Sequence, residues 1–317
     1  MYCICMAALC FSISSSLVRP ISEAIPVFEL VLVRSALSMV LSLITSKSGS
    51  ESISLFGEWK HMHLLSLRGL SGALAMNCFY ASIQKLLLAE AMALLFLNPA
   101  IVAVLAYVFL GENLNMYGVG GCISSLIGMV LVVQPPFFGN DWSRGRKLGV
   151  MFGLFSAFLA AVAYISIRKI GKREKSLTIA VWFHSTALLT SFVGLGFQIF
   201  GARLVAPNLI DWVCMLSIAP CSFLAQILIS RGFQLEKAAT GAAVNYLQVF
   251  FGALFGWIFF KEPLTWLSIF GVILIFGGVL AIAKSDDTSK ETDNDHEKQS
   301  LLDSEQSVEL TNTNVTD

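Results

Sequence analysis

The chain has 317 residues, of which 56% are hydrophobic and only 13% charged, and its mean hydropathy is +0.74. Soluble domains carry about 25% charged residues, so a water-soluble enzyme is disfavoured because so few charges cannot cover its surface. The net charge of zero hides an asymmetry: residues 284–317 hold ten acids against three lysines, a balance of −7, which leaves a body of +7. This pattern describes a polytopic membrane protein with an acidic tail and gives no sign of nucleic-acid binding.

Crossing about 30 Å of hydrocarbon takes roughly 20 apolar residues as a helix. Apolar runs between polar breaks predict ten such helices, over 1–18, 26–46, 64–83, 89–110, 116–134, 148–168, 177–200, 209–230, 237–260 and 264–283. The abrupt apolar start at Met1, with neither a basic lead-in nor a small-residue cleavage site, is not a signal peptide and is expected to reflect an incomplete N-terminus. Breaks such as Arg19-Pro20, Gly111-Glu112-Asn113, Gln134-Pro135-Pro136 and Lys261-Glu262-Pro263 carry turn chemistry. Their shortness makes successive helices antiparallel neighbours. The runs are continuous and do not alternate, which argues against a β-barrel. The seven cysteines show no paired spacing for a zinc or redox site, and no cofactor is expected.

Lysine and arginine placement sets the orientation. With a cytosolic N-terminus, twelve of these residues fall on the inner side, Arg68 counted among them, against seven outside; the block 168–175 decides it. Both termini are then cytosolic.

A gapless shift of 150 residues lays the third to fifth spans on the eighth to tenth. It matches Gln84 with Gln234, Leu97 with Leu247, Glu112 with Glu262, Gly121 with Gly271 and Gly128 with Gly278. Five spans per copy is an odd number, so the second copy enters the membrane upside down, which is an architecture of secondary transporters. The predicted organisation is a first repeat over 1–134, a connecting loop over 135–147, a second repeat over 148–283 and a disordered acidic tail over 284–317.

The segment from Leu88 through Asn98-Pro99, followed by Phe109-Leu-Gly-Glu-Asn-Leu114, resembles the fourth-helix signature of EamA domains in the drug/metabolite transporter superfamily. Phe259-Phe-Lys-Glu-Pro-Leu264 and the glycines of 271–278 are similar to the end of a second such domain. Residues Pro26 to Arg34 resemble the second helix of the solute carrier 35 G-type branch. The resemblance implies an all-α polytopic fold of ten transmembrane helices in two inverted five-helix EamA repeats. It also implies a carrier of small organic solutes.

Candidate site residues are the polar groups inside spans. Arg34 lies about 13 Å into its helix at 1.5 Å per residue, where a cation is expensive and faces a partner or a wet cavity. Anchoring of an anionic solute and an ion pair that fixes packing are both open for it. Glu29 is five residues away, so the two do not share a helix face. In the ninth span, Gly241, Asn245, Gln248, Gly252 and Gly256 form one stripe. Gln248 falls opposite Asn98 under the shift, and Pro99 next to Asn98 removes a backbone donor and makes a hinge. Asn77, Tyr164, His184 and Gln226 complete the expected solute-binding set, with His184 a candidate for proton coupling. Packing is the competing role for the amides and the histidine. Glu112 and Glu262 are expected in turns or gates. Gly69-Leu-Ser71-Gly72 matches a rhomboid-protease motif, but close helix packing explains it without catalysis.

In the tail, Glu297 with Leu301 and Leu302 resembles an acidic dileucine sorting signal, which implies a clathrin adaptor as partner and a vacuolar or lysosomal route. Plasma membrane or endomembrane placement stays open, and a homodimer is compatible with the sequence. The expected function is secondary active transport of a small organic solute by alternating access. Its rival is a non-transporting membrane scaffold or regulator acting through the tail, with an intramembrane hydrolase a remote third.

Overall fold

The structure, a computed structural model, describes residues 1–18, 21, 25–48, 55–83, 85–86, 88–112, 115–133, 144–197, 204–261, 265–282 and 284. Among them every regular element is helical. In chain order these are α1 (Tyr2–Val18), α2 (Val27–Ser48), α3 (Met62–Ile83), α4 (Leu88–Leu95), α5 (Asn98–Leu110), α6 (Met116–Val133), α7 (Arg144–Ile170), α8 (Ser176–Gly196), α9 (Leu209–Leu235), α10 (Ala238–Val244), α11 (Leu247–Phe260) and α12 (Trp266–Ile282). Short 3₁₀ turns, Trp59–His61 and Gly171–Arg173, precede α3 and follow α7.

Among the described residues, seven helical segments are long and apolar enough to cross a membrane, where ten were expected. They are α2, α6, α7, α8, α9 and two that run through a break, α4–α5 and α10–α11. The helices α1 and α12 are apolar but shorter, and α3 carries Arg68 within its 22 residues. Val104, Val108, Ile123, Ile127, Phe192, Ile273 and Leu280 project outward from the bundle, as side chains facing lipid do.

Both breaks have a local cause. Pro99 has no N–H to continue the ladder, so the chain turns with Leu97 N–H donating to Leu94 O (3.2 Å) and Ala100 N–H to Leu97 O (3.1 Å). Between α10 and α11 no proline is present. There Tyr246 N–H donates to Ala243 O (3.0 Å), Gln248 N–H donates to Asn245 O (3.0 Å), and the Tyr246 hydroxyl donates to Phe96 O in the other break (2.8 Å). The expected continuous stripe on 237–260 is therefore interrupted. Gly241 packs against Ile4 and Phe233, whereas Gly252 is exposed and faces open space.

Three hydrogen bonds join residues 150 apart: Tyr246 to Phe96, Ser124 Oγ to Leu274 O (3.0 Å) and Ser125 Oγ to Ile275 O (3.5 Å). The crossing of α6 and α12 is reciprocal in the same register. A Cβ on Gly121 would lie 2.5 Å from Gly278 O, and one on Gly128 2.5 Å from Gly271 O, with the reverse distances equal. Each helix thus meets the other's backbone through its glycines at both contact points. The helix pairings agree: α1 packs on α9 and α3 on α7, and α2 packs on α8. Exchanging α1–α6 for α7–α12 in order interchanges the first two pairs and preserves the third.

Gly128→Val should accordingly lower the midpoint of thermal unfolding in detergent. A branched side chain must push two backbones apart, and overpacking of this kind costs about 1–3 kcal/mol. The same substitution at Gly120, where a Cβ meets nothing within 4 Å, should be close to neutral.

Candidate functional site

The two breaks face one cavity of about 220 Å³. Its wall takes Arg34 from α2, Arg68 from α3, Tyr164 from α7, Gln226 from α9, Asn98 from the first break and Asn245 and Gln248 from the second. Broken helices free backbone groups only where protein or a cavity can satisfy them, so a polar cavity at two breaks follows from the same physics as the breaks themselves.

Arg68 is the residue the sequence assignment misplaced. It was counted with the cytosolic loops, but it lies inside α3, about 9 Å from that helix's start at 1.5 Å per residue, with 3% of its surface exposed. One guanidinium nitrogen donates to Gln226 Oε1 (3.0 Å), and its carbon sits 5.0 Å above the Phe183 ring. Arg68 Nε is buried without a hydrogen-bond partner. The signal that could have found it is the one applied to Arg34, a lone cation inside an apolar run.

Arg34 is partly buried, reaches Met76 Sδ (3.1 Å) and likewise has a buried, unpartnered Nε. Glu29 is not its partner: its carboxylate accepts from Val205 N–H (3.0 Å) ahead of α9. Among the described residues neither guanidinium has a carboxylate within ion-pair distance. Asn245 Oδ1 on the same wall is also buried and unpartnered. Among the described residues the cavity thus presents two positive charges without a carboxylate partner and one unpartnered amide oxygen.

Of the other predicted residues, Asn77 and His184 lie off this wall. His184 is fully buried beside Phe183, and both its ring nitrogens lack a partner. It is therefore not hydrogen-bonded to Ser71, whose hydroxyl donates to its own helix at Leu67 O. No Ser–His pair forms. Pro99 is buried in the first break and lies beside the wall residue Asn98.

Glu112 follows α5, after Gly111 turns the chain in the left-handed region at φ 66°. One carboxylate oxygen pairs with Arg168 Nε near the end of α7, and the other accepts from Ala238 N–H at the start of α10 (2.8 Å). Arg168 also donates to Gln234 O (3.4 Å), and Gln234 Nε2 donates to Glu174 O (2.7 Å). Glu174 Oε1 accepts from Glu58 N–H (2.9 Å) and lies 3.0 Å from His61 Nδ1. This network ties together the ends of five helices at the face from which α3 departs. Glu262, the expected counterpart of Glu112, lies outside the described residues, as do Glu297, Leu301 and Leu302.

The model of the EamA-like transporter family matches residues 1–134 and 147–284. The pseudopaline exporter CntI of Pseudomonas aeruginosa is 29% identical over 281 residues, covering 88% of this chain and 94% of the exporter. Human solute carrier family 35 member G1 is 26% identical, with 85% of this chain and 74% of the carrier covered. A solved crystal structure superposes with a TM-score of 0.72 at 16% identity, over 89% of this chain and 94% of its own, which speaks to the fold alone.

Proposed function

Since the chain belongs to the EamA-like transporter family, we propose that this multi-pass membrane protein is a secondary carrier of a small organic anion, working by alternating access around the cavity at the helix breaks. The single observation that carries the charge assignment is the pair Arg34 and Arg68, two guanidiniums on one wall with no carboxylate beside them among the described residues. A cation buried in a bilayer costs free energy unless it is compensated. An anionic solute supplies that compensation while bound and withdraws it on release.

The helices act as ten spans in two inverted repeats, 1–134 and 148–283, with α1, α3 and α12 joining the seven longer ones. The reciprocal α6–α12 crossing and the interchangeable pairings α1–α9 and α3–α7 support this arrangement. Arg34 is the eighth residue of α2 and Arg68 the seventh of α3, and these helices enter from opposite faces. The two cations therefore sit on either side of the midplane. Asn98, Asn245, Gln226 and Gln248 orient the solute by hydrogen bonds, and Tyr164 closes the wall. Pro99 is the hinge of the first break. With both termini cytosolic, the network around Glu112 and Arg168 is the inner gate, and Glu262 belongs to the opposite one. Asn77 and His184 support the wall from behind. In the tail, Glu297, Leu301 and Leu302 direct the protein to an endomembrane through a clathrin adaptor.

The experiment is a thermal-shift screen of the purified full chain against small organic anions, cations and neutral metabolites, beside Arg34→Ala. Anions should raise the melting temperature of the native protein, with the variant responding at least about tenfold more weakly in midpoint concentration. Stabilisation by cations or neutral solutes in both proteins alike defeats the anion assignment.

A further inference from the structure

Beside the two guanidiniums, the cavity wall carries many aromatic side chains. Phe11, Phe79, Tyr80, Phe96, Tyr164 and Phe183 all line it, from four helices and the first break. An aromatic lining of this kind ordinarily recognises cations. Here that use is already taken, because Arg68 sits over the Phe183 ring and a second fixed cation lies on the same wall. A solute ammonium entering this space meets like charge from both sides and no carboxylate among the described residues. The rings are left to contact the uncharged body of the solute.

The space is sufficient for a ring-sized body. An apolar cavity of about 150 Å³ takes up a benzene molecule. The 220 Å³ here exceeds that by on the order of 70 Å³, about the share of two water molecules in the liquid, which is room for an acid group and a short linker. Aromatic pairs contribute beyond the area they bury, so a ring gains more from this wall than an aliphatic chain of the same length.

We infer that the solute is a compact monocyclic aromatic acid without an amino group, its ring held by the aromatic wall and its carboxylate by Arg34 and Arg68. This rests on the anion reading above and specifies it. The carboxylate accepts charge-assisted hydrogen bonds from the guanidiniums, and the amides at the two breaks fix any further oxygen.

The test uses the full chain in detergent and four probes by isothermal titration: phenylpyruvate, phenylalanine, pyruvate and succinate. Phenylalanine puts an ammonium in place of the keto group of phenylpyruvate, pyruvate lacks the ring, and succinate is an aliphatic dianion. Phenylpyruvate should bind at least about tenfold more tightly than each of the others. In Phe79→Leu that preference over succinate should shrink severalfold while succinate binding holds. Equal affinity for succinate and phenylpyruvate overturns the aromatic class and leaves the anion reading standing. Phenylalanine binding as well as phenylpyruvate overturns the exclusion of ammonium groups. Silence from every acid, when neutral or cationic solutes stabilise the protein, removes the anion reading itself.

Discussion

Arg68→Gln is expected to reduce solute transport in proteoliposomes by about two orders of magnitude while leaving the solute-free protein at least as stable as the native one. The two effects have opposite signs for a physical reason. Without solute, Arg68 is a guanidinium with 3% of its surface exposed, one hydrogen bond to Gln226, a ring contact with Phe183 and no counter-charge among the described residues. Removing an uncompensated buried charge relieves a desolvation cost. Against that stand the lost hydrogen bond and ring contact, each worth about 1–3 kcal/mol. With an anion bound the balance reverses. A carboxylate at 4 Å interacts with a guanidinium by about 4 kcal/mol at an effective dielectric of 20, and losing most of it lowers affinity by about 100-fold or more. A purely structural Arg68 predicts the contrary pattern, a lower melting temperature with residual transport scaling with folded protein. Arg68→Lys separates charge from shape: it keeps the cation but loses the planar fork, so binding should fall by less than in Arg68→Gln.

Much of the helical layout is legible in the sequence because hydropathy is a local property. The runs 116–134 and 264–283 correspond to α6 and α12 within two residues at each end, and the 26–46 run to α2. Charge and turn residues extend helices beyond the apolar run: α7 starts at Arg144, four residues before the predicted 148, because its first turn lies outside the apolar stretch. The break at Asn98-Pro99 is also legible, since proline removes a donor wherever it stands. Its counterpart at Asn245-Tyr246 is not, because no residue there forbids a helix. That break is stabilised by the Tyr246 hydroxyl on Phe96 O, a contact across 150 residues that periodicity cannot carry. Of the cavity wall, Arg34, Asn98, Tyr164, Gln226, Asn245 and Gln248 could be named from their polarity inside apolar runs. The aromatic residues could not, because a phenylalanine in a span faces lipid, neighbour or cavity with equal ease. Arg68 was visible as a residue but assigned by its nearness to a helix end. Only the packing of α3 against α7 and α8 turns it inward.

Glu112→Gln should loosen the face from which α3 departs, and the effect should appear first in hydrogen exchange of α10. Glu112 makes two distinct contacts: Arg168 Nε holds one carboxylate oxygen, and the Ala238 amide donates to the other. A glutamine can still accept from Ala238 N–H through its carbonyl, but its amide group cannot accept from Arg168. The ion pair is three-quarters or more buried on both sides, so breaking it leaves Arg168, among the described residues, with the long bond to Gln234 O. Partly buried pairs of this kind are worth about 1–3 kcal/mol, which corresponds to a shift of about 5- to 150-fold between closed and open states of this face. The amides of 238–246 should exchange faster by that factor. Those of α6 around Gly128, about 18 Å along the helix from its start at Met116, should not change. Charge reversal distinguishes a gate from a general brace. In Glu112→Arg combined with Arg168→Glu the ion pair can re-form, but Ala238 N–H then faces a guanidinium that cannot accept. Protection of α7 and α5 should recover while that of α10 stays low. Full recovery of α10 in the double variant would mean that the ion pair alone closes this face and that the Ala238 contact is incidental. No change in exchange in Glu112→Gln would remove Glu112 from any gating role.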